Sequence, residues 1–201
     1  AAAIVSHPPY FWHPKPAMVV EHLVAIGSAV KLPFYLYNPQ VETAGTALSA
    51  EMIQQASQRL PNLAGIVDSG FSWVFLEEAV MNGRANHPDF QVLSGWEFMV
   101  STFILGAPGC GCFSPLSGIA PLRIRELYEH CRAERYVEAR EAQEDVAALH
   151  HAVKEAGFSG LKDGLAGIKA GMLKMGRACG VPRPPVCSLD AGRREKLLQE
   201  L

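Results

Sequence analysis

The chain has 201 residues, enough for one large domain or two small ones. It is 49% hydrophobic and 19% charged, which suits a globular protein with a buried core, and no apolar run reaches the roughly 18–20 residues that span a bilayer. Lys and Arg number 18 against 20 Asp and Glu, a net charge of −2 with no basic stripe between aromatics, which argues against a nucleic-acid partner.

Five cysteines, Cys110, Cys112, Cys131, Cys179 and Cys187, make an odd number without a disulfide-framework spacing. They read as reduced thiols in a cytoplasmic protein. No basic segment followed by an apolar one opens the chain, so no signal peptide is evident. The expectation is a cytoplasmic protein with no membrane partner.

Residues 2–6 form a short β-type run closed by His7-Pro8-Pro9. Residues 17–30 carry Val19, Val20, Leu23, Val24 and Val30 at a helical period. Residues 33–38 read as a second strand. Ser49 is placed to cap a helix running to about residue 60, with Met52, Ile53, Ala56 and Leu60 on one face. Residues 64–67 are the third strand, followed by a helix over about 71–82 that Gly83 would stop.

A fourth strand is expected at residues 90–94, a fourth helix at 96–105 ending at Gly106, and a short fifth strand within 109–114. Strands alternating with helices at this spacing indicate parallel βαβ units. After residue 117 the pattern is helical only, over 121–133, 135–156, 161–179 and 190–201. This divides the chain into βα units at 1–117 and a helical region at 118–201. Two architectures fit the order: a doubly wound five-stranded sheet, or the last five strands of an eight-stranded barrel.

Metal and hydrolase signatures are weak. The seven histidines show no H-E-x-x-H spacing, and His150 and His151 lie about 100° apart on a helix. Cys110 and Cys112 share one side of a strand, where small packing side chains are the simpler reading. No metal is expected. No G-x-S-x-G elbow and no G-x-G-x-x-G phosphate loop occurs. His7 and His13, just past a strand end, are the best candidates for a further polar role.

Several landmarks follow in order. They are Pro9-Tyr10-Phe11, Tyr37-Asn38 with Thr43-Ala44-Gly45, Gly65-Ile66-Val67-Asp68-Ser69, Leu93-Ser94-Gly95 and Gly106-Ala107-Pro108-Gly109. Together they resemble the dihydrodipicolinate synthase and N-acetylneuraminate lyase family of Schiff-base (class I) aldolases. The resemblance spans essentially the whole chain. It implies an α/β fold, a TIM (β/α)8 barrel represented by strands four to eight with the C-terminal helices. It also implies a lyase acting on pyruvate or a related α-keto acid, without a cofactor, that forms a homo-oligomer (dimer or tetramer).

The resemblance carries roles to individual positions. Tyr37 falls at the proton-relay position, and Tyr10 and Gly95 at substrate-binding positions. Val67 falls where the family carries the lysine that forms a Schiff base with an α-keto acid. Valine has no amine, so it cannot form one. Two departures accompany it: Phe11 lacks the hydroxyl of the synthases' second tyrosine, and Glu42 stands where they carry a carboxylate-binding arginine. Lys162 and Lys169 sit in lysine-containing runs of similar appearance, but in the helical tail, and Lys31 precedes the second strand. The resemblance leaves two readings open: a lyase, or a catalytically inactive homologue serving as a ligand-binding or assembly partner. Complementation by a separate chain carrying three more strands is a third.

Overall fold

A computed structural model of the chain describes residues 1–10, 13–39, 46–106, 109–155, 161–177 and 179–201, with the side chains of 155 and 161–163 outside the description. Two compact units emerge, one of residues 1–95 and 106–113, the other of residues 96–105 and 114–201.

The first unit is a parallel sheet with helices between its strands. The strands are β1 (Ile4–Ser6), β2 (Phe34–Asn38), β3 (Leu63–Asp68), β4 (Gln91–Ser94) and β5 (Gly111–Cys112). Each strand pairs with the next in chain order, all in parallel. Helices α1 (Pro16–Ser28), α2 (Ala50–Arg59) and α3 (Trp73–Arg84) make the first three connections. Parallel strands need such crossovers, since a tight turn cannot return the chain to the same end of the sheet.

Local chemistry explains the helix starts. α1 opens on Pro16, whose missing amide hydrogen costs nothing in a first turn. Ser49 caps α2, as its position predicts, by accepting from the Met52 amide at 3.2 Å, and Ser72 caps α3 through the Phe75 amide at 3.2 Å. Gly83 does not end α3. It lies buried inside the helix, where an added Cβ would fall 2.5 Å from the Phe90 ring, so close packing rather than termination explains the glycine.

One sheet face is more covered than the other. Along β2, Phe34, Leu36 and Asn38 are buried while Tyr35 and Tyr37 are half-buried, the period-two signature of two unlike environments. β3 is the most enclosed strand, with Ile66 and Val67 both buried.

The second unit is helical: α4 (Pro121–Arg132), α5 (Tyr136–Glu155), α6 (Leu161–Lys174) and α7 (Ala191–Glu200). α6 is shorter than its apolar pattern, because Gly176 takes a left-handed conformation (φ 72°) just beyond its end. The Asp190 carboxylate caps α7 through the Arg193 amide at 2.9 Å.

The expected continuous helix over 96–105 is instead a 3-10 turn (Glu97–Met99) followed by a π turn (Thr102–Gly106). Gln143 explains the break. Its side chain donates to the Glu97 carbonyl at 3.0 Å and accepts from the Ser101 amide at 2.9 Å. Those two groups would bond each other in an α-helix, so the inserted amide replaces one rung of the ladder.

Candidate functional site at the strand ends

The register places side chains in rows. Tyr37, Val67, Leu93 and Gly111 are mutual neighbours across β2 to β5, so they share one face at one level. One residue further on, Asn38, Asp68, Ser94 and Cys112 form a row on the opposite face. Both rows lie at the C-terminal ends of the strands. Below the first row, on its own face, Tyr35 donates to Gln91 Oε1 at 2.5 Å, and burial, with the Cys110 thiol adding to it, pushes the phenol above its ordinary value.

The chain leaves each strand in the same way. The amides of Ser69, Gly95 and Phe113 donate to the carbonyls of Asn38, Asp68 and Ser94 at 2.7–2.9 Å, extending the ladder one step past each strand. This brings Ser69 Oγ to 3.1 Å from the Tyr37 hydroxyl. Gly95 lies against the same serine: an added Cβ would fall 1.9 Å from Ser69 Oγ and 3.1 Å from the Asp68 carbonyl oxygen. Only a residue without a side chain fits there while Ser69 holds Tyr37.

Asp68 is 1% exposed. Its Oδ1 accepts from Asn38 Nδ2 at 2.6 Å and from the Gly70 amide at 3.2 Å, and Asn38 Oδ1 in turn accepts from the Leu48 amide at 2.8 Å. Oδ2 is buried with no hydrogen-bond partner among the described residues. Burial raises the carboxyl above its ordinary value, while the two amide donors pull the other way.

The positions singled out by sequence fall as follows. Tyr37 and Val67 are lateral neighbours, and Gly95 reaches Tyr37 through Ser69. Val67 is 1% exposed and presents only hydrocarbon. Tyr10 is exposed and makes an edge-on ring contact with His7 at 5.6 Å, whose Nδ1 is 2.5 Å from the Pro8 carbonyl oxygen. Phe11, Glu42, residues 43–45, Ala107, Pro108 and the Lys162 side chain lie outside the described residues. Lys169 lies in the helical unit and donates to the Cys179 carbonyl at 2.6 Å. Sequence reasoning did not assign Asp68 and Ser69 a part in the site. Their signal was a polar pair directly after an apolar strand run.

Among the described residues, no group of three His, Cys, Asp or Glu side chains could hold a metal ion, and no helix is long and apolar enough to cross a membrane.

A parallel βα sheet with its polar residues gathered at the C-terminal strand ends has the layout of a (β/α)8-barrel site. The family model of the dihydrodipicolinate synthetase family matches residues 1–201, and the chain belongs to that family. A 4-hydroxy-tetrahydrodipicolinate synthase from Nitratidesulfovibrio vulgaris is 26% identical over 189 residues, covering 94% of this chain and 61% of its own. The dihydrodipicolinate synthase of Bacteroides thetaiotaomicron superposes with a TM-score of 0.86 at 23% identity, over 100% of this chain and 65% of its own. A prophage protein of the dihydrodipicolinic acid synthase family from E. coli K12, solved in complex with pyruvate, gives 0.85 at 23% identity, over 99% and 65%.

The chain thus spans about three fifths of the length of that curated synthase. The fold is the TIM-barrel class expected from the sequence, and the family is one of synthases and aldolases, which are lyases.

Proposed function

We propose that the strand-end site receives a small α-keto acid such as pyruvate and binds it without forming a covalent imine. Val67 carries this reading. It stands beside Tyr37, buried; the sequence resemblance gives it the position of the family's Schiff-base lysine, and a branched hydrocarbon offers no amine to a ketone. The pyruvate complex of the E. coli relative supplies the ligand class. On this reading the chain is a ligand-binding member of a lyase family, active in the cytoplasm as a homo-oligomer.

The Tyr37 and Ser69 hydroxyls, 3.1 Å apart, favour a second reading: a lyase that keeps the proton relay and draws its chemistry from another group.

Borohydride treatment with pyruvate, read by intact mass, separates the two, with calorimetry alongside. The expected result is saturable pyruvate binding and no mass increase. A reduced pyruvyl adduct overturns the non-covalent reading. Absence of any pyruvate binding overturns the ligand class.

A further inference from the structure

The turns that hold Tyr37 and Ser69 converge on one buried carboxyl. Asp68 Oδ1 takes the Asn38 side-chain amide and the Gly70 backbone amide, and Asn38 passes the link on to the Leu48 amide. The Asp68 carbonyl oxygen accepts from the Gly95 amide at 2.7 Å, and the next residue, Ser69, meets Tyr37. Segments following β2, β3 and β4 therefore meet at this residue.

An ionised carboxylate in this position would leave a charged oxygen, Oδ2, buried without a donor among the described residues. A protonated one leaves only a hydroxyl there, and its Oδ1 keeps both amide bonds. The groups that act on the carboxyl are, in order, burial, the Asn38 amide and the Gly70 amide, none of them charged. Its row neighbours across the sheet are Asn38 of β2 and Ser94 of β4, and neither titrates in the range of a carboxyl. No described cation compensates it.

We propose that Asp68 works as a neutral acid: its proton stays on Oδ2, and the uncharged carboxyl, with Asn38, fixes the strand-end turns on which Tyr37 and Ser69 meet. Asp68 is a positioning residue, acting through Asn38 and its own turn. Ionisation puts an unpaired charge into the clamp and loosens it. The sign is fixed by linkage. A carboxyl raised in the folded state contributes stability that is full below its unfolded value, near 3.8, and is lost as pH rises through the folded value. Any effect on keto-acid affinity rests on the function proposed above; the protonation state of Asp68 does not.

The test is a carbon-13 titration of aspartate carboxyl signals in the intact protein, with Asp68 assigned by its loss in Asp68→Asn. The Asp68 signal should titrate above the other aspartates. Melting temperature should fall across the same pH window in the parent and stay flat there in Asp68→Asn, which is neutral and isosteric. Asp68→Ala, which removes the acceptor for two amides, should melt about 4 °C or more below the parent at every pH. An Asp68 signal titrating at or below the ordinary carboxylate range overturns the proposal, as does an Asp68→Asn protein with the parent's pH dependence. If pyruvate fails to bind at all, the ligand reading falls while the carboxyl titration still decides this one.

Discussion

His150 Nδ1 lies 2.6 Å from Oε1 of Glu97, a carboxylate whose side chain is only 2% exposed. Ser114 donates to Oε2 at 2.8 Å, so both oxygens are engaged. The pair ties the 3-10 turn of the helical unit to α5, beside the Gln143 bonds that break the helix there. Removing one partner of a buried, hydrogen-bonded pair costs more than the pair itself contributes, because the other partner stays desolvated. Glu97→Ala should lose about 3 kcal/mol of stability, and Glu97→Gln, which keeps an acceptor, about 1–2 kcal/mol. Urea unfolding of the two variants checks the order; equal losses would show that the retained amide acceptor recovers nothing and that the effect lies wholly in the carboxylate charge.

Gly95 and Ser69 should be energetically coupled. A methyl at 95 collides with Ser69 Oγ at 1.9 Å, so Gly95→Ala must displace the serine and break its contact with Tyr37. The expected loss is about 1–3 kcal/mol. Ser69→Ala removes the colliding oxygen but leaves its Cβ 3.2 Å from the added methyl, so the double variant should recover part of the loss. A double-mutant cycle should give a favourable coupling of at least about 0.5 kcal/mol. Additive losses would show that the glycine is there for a different reason.

Asn62 locks the segment between α1 and β2 to the start of β3. Its side-chain amide lies 3.0–3.1 Å from the carbonyls of Gly27, Val30 and Leu32. Asn62→Ala should cost about 1–3 kcal/mol, since those acceptors lose their donor. Asn62→Asp keeps the shape but turns a carboxylate oxygen toward three carbonyl oxygens. It should be the more damaging of the two at neutral pH and recover toward Asn62→Ala as acid protonates it. Melting temperatures at pH 7 and near pH 4 read this directly.

What was legible in the sequence was local. Ser49 announced a cap because its hydroxyl answers an amide three residues away, and the apolar runs of β2 and β3 announced strands because their period is built into the backbone. Misreadings arose where a distant group intervened. Nothing near residues 97–101 signals that Gln143, more than forty residues later, takes up both ends of a helical rung. Gly83 carries the local signature of a helix stop, but the Phe90 ring packed against it is what requires the glycine. At the site, Tyr37 and Val67 were legible as residues of neighbouring strands, and the parallel register sets them side by side. The Asn38–Asp68 clamp was not legible, since it joins residues thirty apart through side chains that either strand alone would leave ambiguous.

Val67→Lys asks whether the rest of the strand-end row can still support imine chemistry. Val67 is enclosed between Tyr37 on β2 and Leu93 on β4, so a lysine stem must rearrange packing at a cost of about 1–3 kcal/mol. The same enclosure helps the chemistry, because desolvation disfavours the ammonium form and leaves more free amine to attack a ketone. With pyruvate and borohydride the folded variant should gain one reduced pyruvyl group, and the parent none. Yield should rise with pH as the amine loses its proton. Adding Tyr37→Phe removes the neighbouring hydroxyl, and trapping should slow by a factor on the order of 10² or more if that phenol moves protons. Equal rates with and without the phenol would reduce Tyr37 to a packing residue held by Ser69. A folded Val67→Lys protein that takes no label would show that the surrounding pocket no longer receives a keto acid in an attackable pose.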